Sequence, residues 1–167
     1  MASATKEIAV EMLPYFHLFI DGTIKRLPPP LNSSPSDDPD AAVCSKDVLI
    51  DPDTDVSLHI FAPHQRASPQ KLSLVVYIHG GAFCMGASSS PAFHNFISKL
   101  VEKGNLIAVS ADYGLVPENP LPILFDDTWN AFQWIAAHAD GDGTNPWLNE
   151  YADFWHVFIK ERARGPP

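Results

Sequence analysis

Apolar positions alternate with polar ones in the first third of the chain, which predicts paired antiparallel strands. Residues 45–50 and 56–61 form one predicted hairpin, and Val56, Leu58 and Ile60 fall on one face of its second arm. Residues 15–27 form another, with Asp21-Gly22 at its turn. Glycine accepts the positive φ of a type I′ turn, so this dipeptide between apolar runs indicates a tight hairpin.

Continuous apolar runs replace the alternation in the middle of the chain. Residues 74–78 and 106–110 have the composition of strands that are buried on both faces. A helix is predicted between them, with Ser90 as its cap, Pro91 at its first position and Gly104 at its end. Its apolar stripe consists of Phe93, Phe96, Ile97, Leu100 and Val101. Strand, helix and strand predict a right-handed parallel crossover.

A second helix and a third strand of the parallel set follow. The helix is expected over about 125–139, and Asp126 and Asp127 lie in its first turn, where the helix dipole favours negative charge. Its predicted apolar face is formed by Phe125, Trp129, Phe132, Ala136 and Ala139. After a polar loop, residues 154–159 complete the pattern. The fold class is therefore α/β, with antiparallel hairpins that lead into a parallel β-α-β-α-β sheet.

Composition and charge narrow the possible functions. The 167 residues are 46% hydrophobic and 19% charged, which is typical of a globular domain. A net charge of −9 argues against nucleic acid and against an anionic membrane surface as partners. Cys44 and Cys84 are too few for a disulfide framework, and no apolar run resembles a signal peptide or a membrane span. A reducing, cytoplasmic setting is the expectation.

Changes in composition divide the chain into four predicted segments. Residues 1–27 form an N-terminal cap and hairpin segment, and 28–44 form a loop rich in proline and serine. Residues 45–159 contain the α/β core, and 160–167 form a basic tail of foreign composition. The net charge is −11 up to Ile159 and +2 after it.

The sharpest candidate for chemistry is His79-Gly80-Gly81-Ala82-Phe83, directly after the predicted strand 74–78. Parallel sheets bind ligands at the carboxyl ends of their strands, and a glycine pair lets backbone N–H groups turn toward that crevice. Such groups can hold the oxyanion of an acyl-transfer intermediate. A tight turn without a ligand is an equally good reading of these five residues alone.

Several motifs together resemble the plant carboxylesterases, which belong to the hormone-sensitive-lipase-like branch of the α/β-hydrolases. They are the loop 79–83, Asp112 to Pro122, Asp126 to Trp129, Ser45 to Val48 and Trp147 to Phe154. The resemblance implies a serine hydrolase of carboxylic esters that uses no metal or organic cofactor and takes a small-molecule ester or hydrophobic ligand. It also implies that the N–H groups of Gly80, Gly81 and Ala82 line an oxyanion hole, with His79 supporting the loop.

The chain departs from the family pattern at four points. Ala82 stands where a third glycine is common, Gly114 replaces an arginine, and Val116 replaces an alanine. The fourth point is the nucleophile elbow G-x-S-x-G, which should come next, whereas no serine follows Ser110. The triad's acid and histidine should follow that serine. The sequence therefore predicts an α/β-hydrolase fold truncated at the nucleophile elbow and inactive as written.

Two alternatives to this interpretation are kept. Gibberellin receptors share the fold without hydrolysing their hormone, so the chain could be part of a non-catalytic small-molecule binder. Dehydratases of the isoflavonoid branch also carry a His-Gly-Gly-Ala loop.

The basic tail has a possible origin in a shifted reading frame. Codons for residues 160–166 can be chosen so that a frame shifted by two bases encodes Gly-Glu-Ser-Ala-Gly-Ala, which has the pattern of the missing nucleophile elbow. The hypothesis is that the tail is an out-of-frame reading of that motif.

Other candidate sites are weaker. Residues 51–55 resemble the start of a calcium loop, but Val56 stands where glycine is required, which favours a solvated hairpin loop. Adjacent Asp126 and Asp127 point in different directions on a helix. The remaining histidines show no metal-ligand spacing and are predicted to have ordinary roles: His17, His59, His64, His94, His138 and His156. Cys84 is predicted to be a small packed residue.

Overall fold

A computed structural model describes residues 6–13, 15–27, 32–65 and 70–161 of the chain. They divide into two compact units, Met1–Leu31 and Asn32–Pro167. None of the helices in these ranges is both long and apolar enough to span a lipid bilayer.

The N-terminal unit is a three-stranded antiparallel sheet of β1 (Ile8–Met12), β2 (Phe16–Phe19) and β3 (Ile24–Arg26). The hairpin of β2 and β3 confirms the prediction from the Asp21-Gly22 pair, whereas β1 was not predicted. The predicted turn type, type I′, is wrong. Gly22 has a φ of +80° and its N–H donates to the Phe19 carbonyl at 2.9 Å, while the Phe19 N–H donates to the Thr23 carbonyl at 2.9 Å. One extra residue therefore gives a three-residue loop with glycine in its left-handed position.

A five-stranded mixed sheet forms the centre of the larger unit. Its strands are β4 (Val43–Asp51), β5 (Val56–Pro63), β6 (Leu72–Ile78), β7 (Ile107–Asp112) and β8 (Ala152–Glu161). Their order across the sheet is β4-β5-β7-β6-β8. The first two strands form the predicted hairpin, and β5 pairs antiparallel with β7. Strand β6 is parallel to both β7 and β8, as the sequence predicts.

Helix α1 (Pro91–Gly104) connects β6 to β7 and buries Phe93, Ile97 and Val101 of its predicted stripe. Its ends differ from the prediction. The Ser90 hydroxyl accepts the Ala87 N–H at 2.9 Å and makes no cap hydrogen bond to the helix. The left-handed residue that ends the helix is Asn105, with a φ of 45°, and not Gly104. Asparagine tolerates this conformation, so the helix runs one residue past the expected stop.

The predicted apolar face of helix α2 (Ile123–Ala136) is not the face that the structure buries. Its buried residues are Leu124, Asp127, Ala131 and Ile135, whereas Phe125 is 58% exposed and Trp129 62% exposed. Hydrophobicity alone placed the aromatic residues inward. The inward stripe instead contains a carboxylate that has a backbone partner, described below. A short helix, α3 (Pro146–Tyr151), lies in the segment predicted to be a polar loop.

The core lies on both faces of the sheet. Alternate residues of β6 point to opposite sides: Leu74 and Val76 pack with α2 and α3, whereas Val75 and Tyr77 pack with α1. Strands β4 and β8 are the two edges. On β8 the large exposed apolar side chains are Trp155, Val157, Phe158 and Ile159, as expected of an apolar edge strand. Lys160 and Glu161 of the predicted basic tail belong to β8, and residues 162–167 lie outside the described residues.

Candidate active site

The carboxyl ends of β6 and β7 bring together the chain segments that the sequence singled out. Ile78 pairs with Ala111 in the parallel register, so His79 and Asp112 leave the sheet side by side. This is the edge at which α/β sheets bind ligands. The candidate site is therefore built from the loop after β6 and from the residues that follow β7.

The loop after β6 turns sharply through three left-handed residues. The φ angles are +134° at Gly81, +50° at Ala82 and +64° at Phe83. The N–H groups of Cys84 and Met85 both donate to the Gly81 carbonyl, at 3.0 and 3.1 Å. A Cβ on Gly81 would overlap the Met85 carbonyl oxygen, so this position needs glycine. Ala82 keeps its N–H but adopts a conformation that L side chains disfavour.

Four successive N–H groups of this loop are left available. Within the described residues, the N–H groups of Gly80, Gly81, Ala82 and Phe83 donate to no protein acceptor. Gly81 is buried, whereas Ala82 and Phe83 are exposed to solvent. Successive N–H groups in such a turn form a concavity that binds anions. The local chemistry is thus suited to an oxygen that carries negative charge.

His79 is held rigidly beneath this loop. Its side chain is buried, its Nδ1 lies 2.9 Å from the Gly80 carbonyl oxygen, and its ring stacks on that of Tyr113 with centroids 4.3 Å apart. The Tyr113 hydroxyl donates to the His79 carbonyl at 2.8 Å. Burial lowers the pKa of His79 and raises the pKa of the Tyr113 phenol, so both groups stay neutral near pH 7.

Asp112 connects the site to the segment before α1. Its carboxylate accepts the Ser88 N–H and the Ser88 hydroxyl, each at 2.5 Å, and its Oδ1 lies 3.8 Å from Nε2 of His79. Ser88 is fully buried, and its hydroxyl is hydrogen-bonded directly to the Asp112 carboxylate, so no histidine lies between the two side chains. A nucleophilic serine needs an adjacent base and access to substrate. The arrangement agrees with the sequence argument that residues 86–90 do not replace the nucleophile elbow.

Asp127 is the supporting residue whose role sequence reasoning missed. It is buried on α2, and its Oδ2 accepts the Gly114 N–H at 2.8 Å. A Cβ at Gly114 would lie 2.7 Å from Cγ of Asn119, so the backbone passes closely under that side chain. Asp127 therefore anchors the chain directly after Tyr113. The signal available in the sequence was an acidic residue at helical spacing from Leu124 and Ala131.

The weaker candidates behave as solvated or packed groups. Asp51 accepts the Asp53 N–H at 2.9 Å and the Thr54 hydroxyl at 2.7 Å, so its carboxylate closes the hairpin loop. These hydrogen bonds lower the pKa of Asp51. Asp126 is exposed whereas Asp127 is buried, which places the two carboxylates on different faces. Cys84 is buried, and its thiol donates weakly to the Gly81 carbonyl at 3.5 Å.

Curated proteins of similar sequence include plant proteins. The chain is 40% identical over 162 residues to "Probable carboxylesterase 5" of Arabidopsis thaliana, covering 95% of the chain and 51% of that protein. It is 37% identical over 164 residues to "2-hydroxyisoflavanone dehydratase" of Glycine max, covering 96% and 51%. The chain thus spans about half the length of the curated relatives it matches.

Solved structures of similar fold include an esterase and a virulence factor. The Francisella virulence factor BioJ superposes with a TM-score of 0.57 at 20% identity, covering 72% of this chain and 35% of that one. "Bacterial Heroin Esterase" gives 0.56 at 20% identity, with 72% and 35% covered. At these identities the likeness concerns the fold. Residues 75–160 match the family described as "alpha/beta hydrolase fold". The chain belongs to the α/β-hydrolase fold family.

Proposed function

We propose that the whole protein hydrolyses carboxylic esters through a serine nucleophile, and that this chain supplies the oxyanion-binding loop. The observation that carries the proposal is the left-handed turn at the end of β6. It leaves the N–H groups of Gly81 and Ala82 without a protein acceptor among the described residues. Gly80 precedes them and would contribute the third N–H group. The likeness to probable carboxylesterases supports an ester as substrate.

The loop would act on the charge that develops during acyl transfer. The serine hydroxyl gives its proton to a general base as its oxygen attacks the ester carbonyl carbon, the π electrons of the carbonyl move to the carbonyl oxygen, and the N–H groups donate to the resulting oxyanion. When the tetrahedral intermediate collapses, the alcohol leaves with that proton from the base, and water then attacks the acyl-serine in the same way, which releases the carboxylic acid and restores the serine. Removing one oxyanion donor typically lowers kcat by about 10²–10³-fold. His79 is a positioning residue in this scheme, because its ring is buried and held by Tyr113.

We propose further that these 167 residues alone do not hydrolyse esters. No serine follows Ser110 in the sequence, and Ser88 is buried against Asp112. With 4-nitrophenyl acetate, the chain and its Ser88→Ala variant should release nitrophenol at the rate given by heat-denatured chain. Saturable hydrolysis by the native chain, blocked by a serine-reactive fluorophosphonate, would overturn this proposal.

A chimera tests the activity proposed for the whole protein. Residues 1–159 of this chain are joined to the part of "Probable carboxylesterase 5" that follows the matched region. The folded chimera should hydrolyse 4-nitrophenyl acetate and lose that activity with a fluorophosphonate. A folded chimera that takes up the fluorophosphonate on its serine yet hydrolyses no ester would contradict an esterase role for this loop.

A dehydratase is the second candidate. Ala82 and the 37% identity to 2-hydroxyisoflavanone dehydratase favour it. The same N–H groups would polarise a ketone while water is eliminated from the adjacent carbons. Incubation of the chimera with 2-hydroxyisoflavanone separates the two candidates, because loss of water changes the product mass by one water, whereas an esterase leaves this substrate unchanged.

A further inference from the structure

Three side chains of different ligand chemistry converge at the edge of the sheet opposite the candidate active site. Asp37, Cys44 and His64 each offer one potential ligand atom, and these atoms all lie within 4.8 Å of one another. Strand β5 runs antiparallel to β7, and Ser57 near its start pairs with Asp112. The far end of β5, next to His64, is therefore remote from the loop after β6.

Strand register explains why two of these residues meet. Cys44 pairs with Ala62, and the His64 N–H donates to the Ala42 carbonyl at 2.9 Å, which continues the antiparallel register one step beyond β5. Cys44 and His64 are thus diagonal neighbours on one face of the hairpin, a spacing within reach of side chains. This pairing is invisible in the spacing along the chain, where the histidines gave no metal-ligand pattern.

The loop before β4 adds the third residue. The Ser45 N–H donates to the Ser36 carbonyl at 2.7 Å, and the Ser36 N–H donates to the Ser45 hydroxyl at 3.2 Å. These two hydrogen bonds fix the backbone directly before Asp37. The exposed carboxylate of Asp37 lies within 4.8 Å of the ligand atoms of Cys44 and His64.

A second observation points to a ligand at this cluster. Nδ1 of His64 is shielded from solvent and has no hydrogen-bond partner among the described residues. Buried polar atoms are nearly always satisfied, and an exception calls for an unseen water or ion. Cys44 is completely buried, and its thiol donates to the Ala62 carbonyl at 3.4 Å. Asp37 is exposed and leaves an entry path.

We propose that Asp37, Cys44 and His64 bind a divalent transition-metal ion of the Zn²⁺ type. Thiolate, imidazole and carboxylate together select zinc and its neighbours over calcium or magnesium, which prefer oxygen ligands only. Three protein ligands leave one position of a tetrahedron for water. On binding, a metal–sulfur bond forms and the Cys44 thiol proton goes to solvent, with no change in oxidation state. The ion would fasten residues 32–42 to the β4–β5 hairpin.

Cobalt substitution tests the thiolate ligand. Co²⁺ added to the full chain should give a near-ultraviolet sulfur-to-metal charge-transfer band, and Zn²⁺ should displace it. The Cys44→Ser variant should lose the band, whereas Cys84→Ser, which alters the other cysteine, should keep it. Absence of the band in the unaltered chain, or its survival in Cys44→Ser, would overturn the proposal.

Zinc affinity tests the other two ligands. This measurement tests the proposed metal site even if the Cys44→Ser variant does not fold. Asp37 is exposed, so Asp37→Asn should fold and weaken Zn²⁺ binding about tenfold or more, while Asp38→Asn binds as the unaltered chain does. His64→Ala should weaken it at least as much, with His156→Ala as its control. Equal affinity in Asp37→Asn and Asp38→Asn, or in the two histidine variants, would contradict the site.

Discussion

The imidazole of His79 and the phenol ring of Tyr113 lie parallel, with centroids 4.3 Å apart and planes 10° apart, and the Tyr113 hydroxyl donates to the His79 carbonyl at 2.8 Å. One residue comes from the end of β6 and the other from the end of β7. The pair therefore locks the loop of the candidate oxyanion site to the neighbouring strand.

Replacing Tyr113 with phenylalanine keeps the ring stack and removes the hydroxyl. The buried His79 carbonyl then loses its donor, so the free energy of unfolding should fall by about 1–3 kcal/mol. Tyr113→Leu removes the stack as well and should cost more. Urea unfolding measures both variants, and an unchanged midpoint in Tyr113→Phe would show that this hydrogen bond does not hold the loop.

Substitutions at the two central loop residues should have opposite effects. Gly81→Ala places a Cβ on the Met85 carbonyl oxygen at a φ of +134°, and should cost about 1–3 kcal/mol. Ala82→Gly relieves a left-handed alanine and should stabilise the chain by up to about 1 kcal/mol. Ala92→Gly, at an exposed position of α1, should destabilise it by about 0.5–1 kcal/mol. Destabilisation by Ala82→Gly comparable to that of Ala92→Gly would argue against the left-handed turn.

The anchor between α2 and the chain after β7 predicts a contrast between two adjacent carboxylates. Asp127→Ala leaves the Gly114 N–H without its acceptor and should lower the free energy of unfolding by about 1–3 kcal/mol. Asp126 is exposed in the first turn, and its alanine variant should cost less than about 1 kcal/mol. Thermal or urea unfolding measures the difference, and equal losses would contradict the assignment of Asp127 as the buried anchor.

Stability should fall on acidification because of His79, which is buried, and His94, which is half-buried. Burial lowers the pKa of His79, and burial together with the nearby His59 lowers the pKa of His94. Asp112 faces His79 and Asp47 faces His94, and each opposes its shift without reversing it. In the unfolded chain histidine titrates near a pKa of about 6.5, so the folded state binds fewer protons below that value.

The contribution of these two histidines to the free energy of unfolding is therefore fully present above a pH of about 6.5. It is lost as the pH falls from there through their lowered pKa values in the folded state. Urea unfolding at pH 7.5 and 5.5 should show the loss. His94→Phe, which keeps a ring packed against Phe61, should make it smaller. Equal stability of the unaltered chain at the two pH values would contradict this account.

The exposed edge strand predicts self-association. Ile159 is 68% exposed on β8, where the outer backbone edge has no neighbouring strand within the described residues. Unpaired apolar edges template pairing with other chains, and a lysine at the edge prevents it. Ile159→Lys should therefore raise the highest protein concentration at which light scattering still detects only the monomer. Ile20→Lys changes an equally exposed isoleucine in a turn and should leave that concentration unchanged.

The sequence predicted most of the sheet because its signals are local and redundant. The hairpin of β4 and β5, the parallel pair β6 and β7 and the stripe of α1 each follow from apolar periodicity together with turn residues. The face of α2 was not predictable in this way. A buried aspartate replaces an apolar residue in its inward stripe, and the Gly114 N–H, brought close by the fold, makes that burial tolerable.

The candidate sites also combine features that the sequence predicts with features that only the folded structure reveals. The loop 79–83 was found from its glycines and its place after a strand, but the left-handed conformation of Ala82 and Phe83 depends on the hydrogen bonds to the Gly81 carbonyl. The cluster of Asp37, Cys44 and His64 depends on strand register and on the Ser36–Ser45 hydrogen bonds. Contacts of this kind are long-range, so spacing along the chain carries no signal for them.

The kcat of the chimera described above, with and without Gly81→Ala, tests most directly whether the N–H groups of this loop stabilise an oxyanion. The matched control is Gly141→Ala, which also alters a glycine of positive φ but in open space after α2. Gly81→Ala should lower kcat for 4-nitrophenyl acetate by about 10²-fold or more with a smaller change in KM, and Gly141→Ala should leave kcat within about twofold. Equal kcat values for the two folded variants would contradict the account.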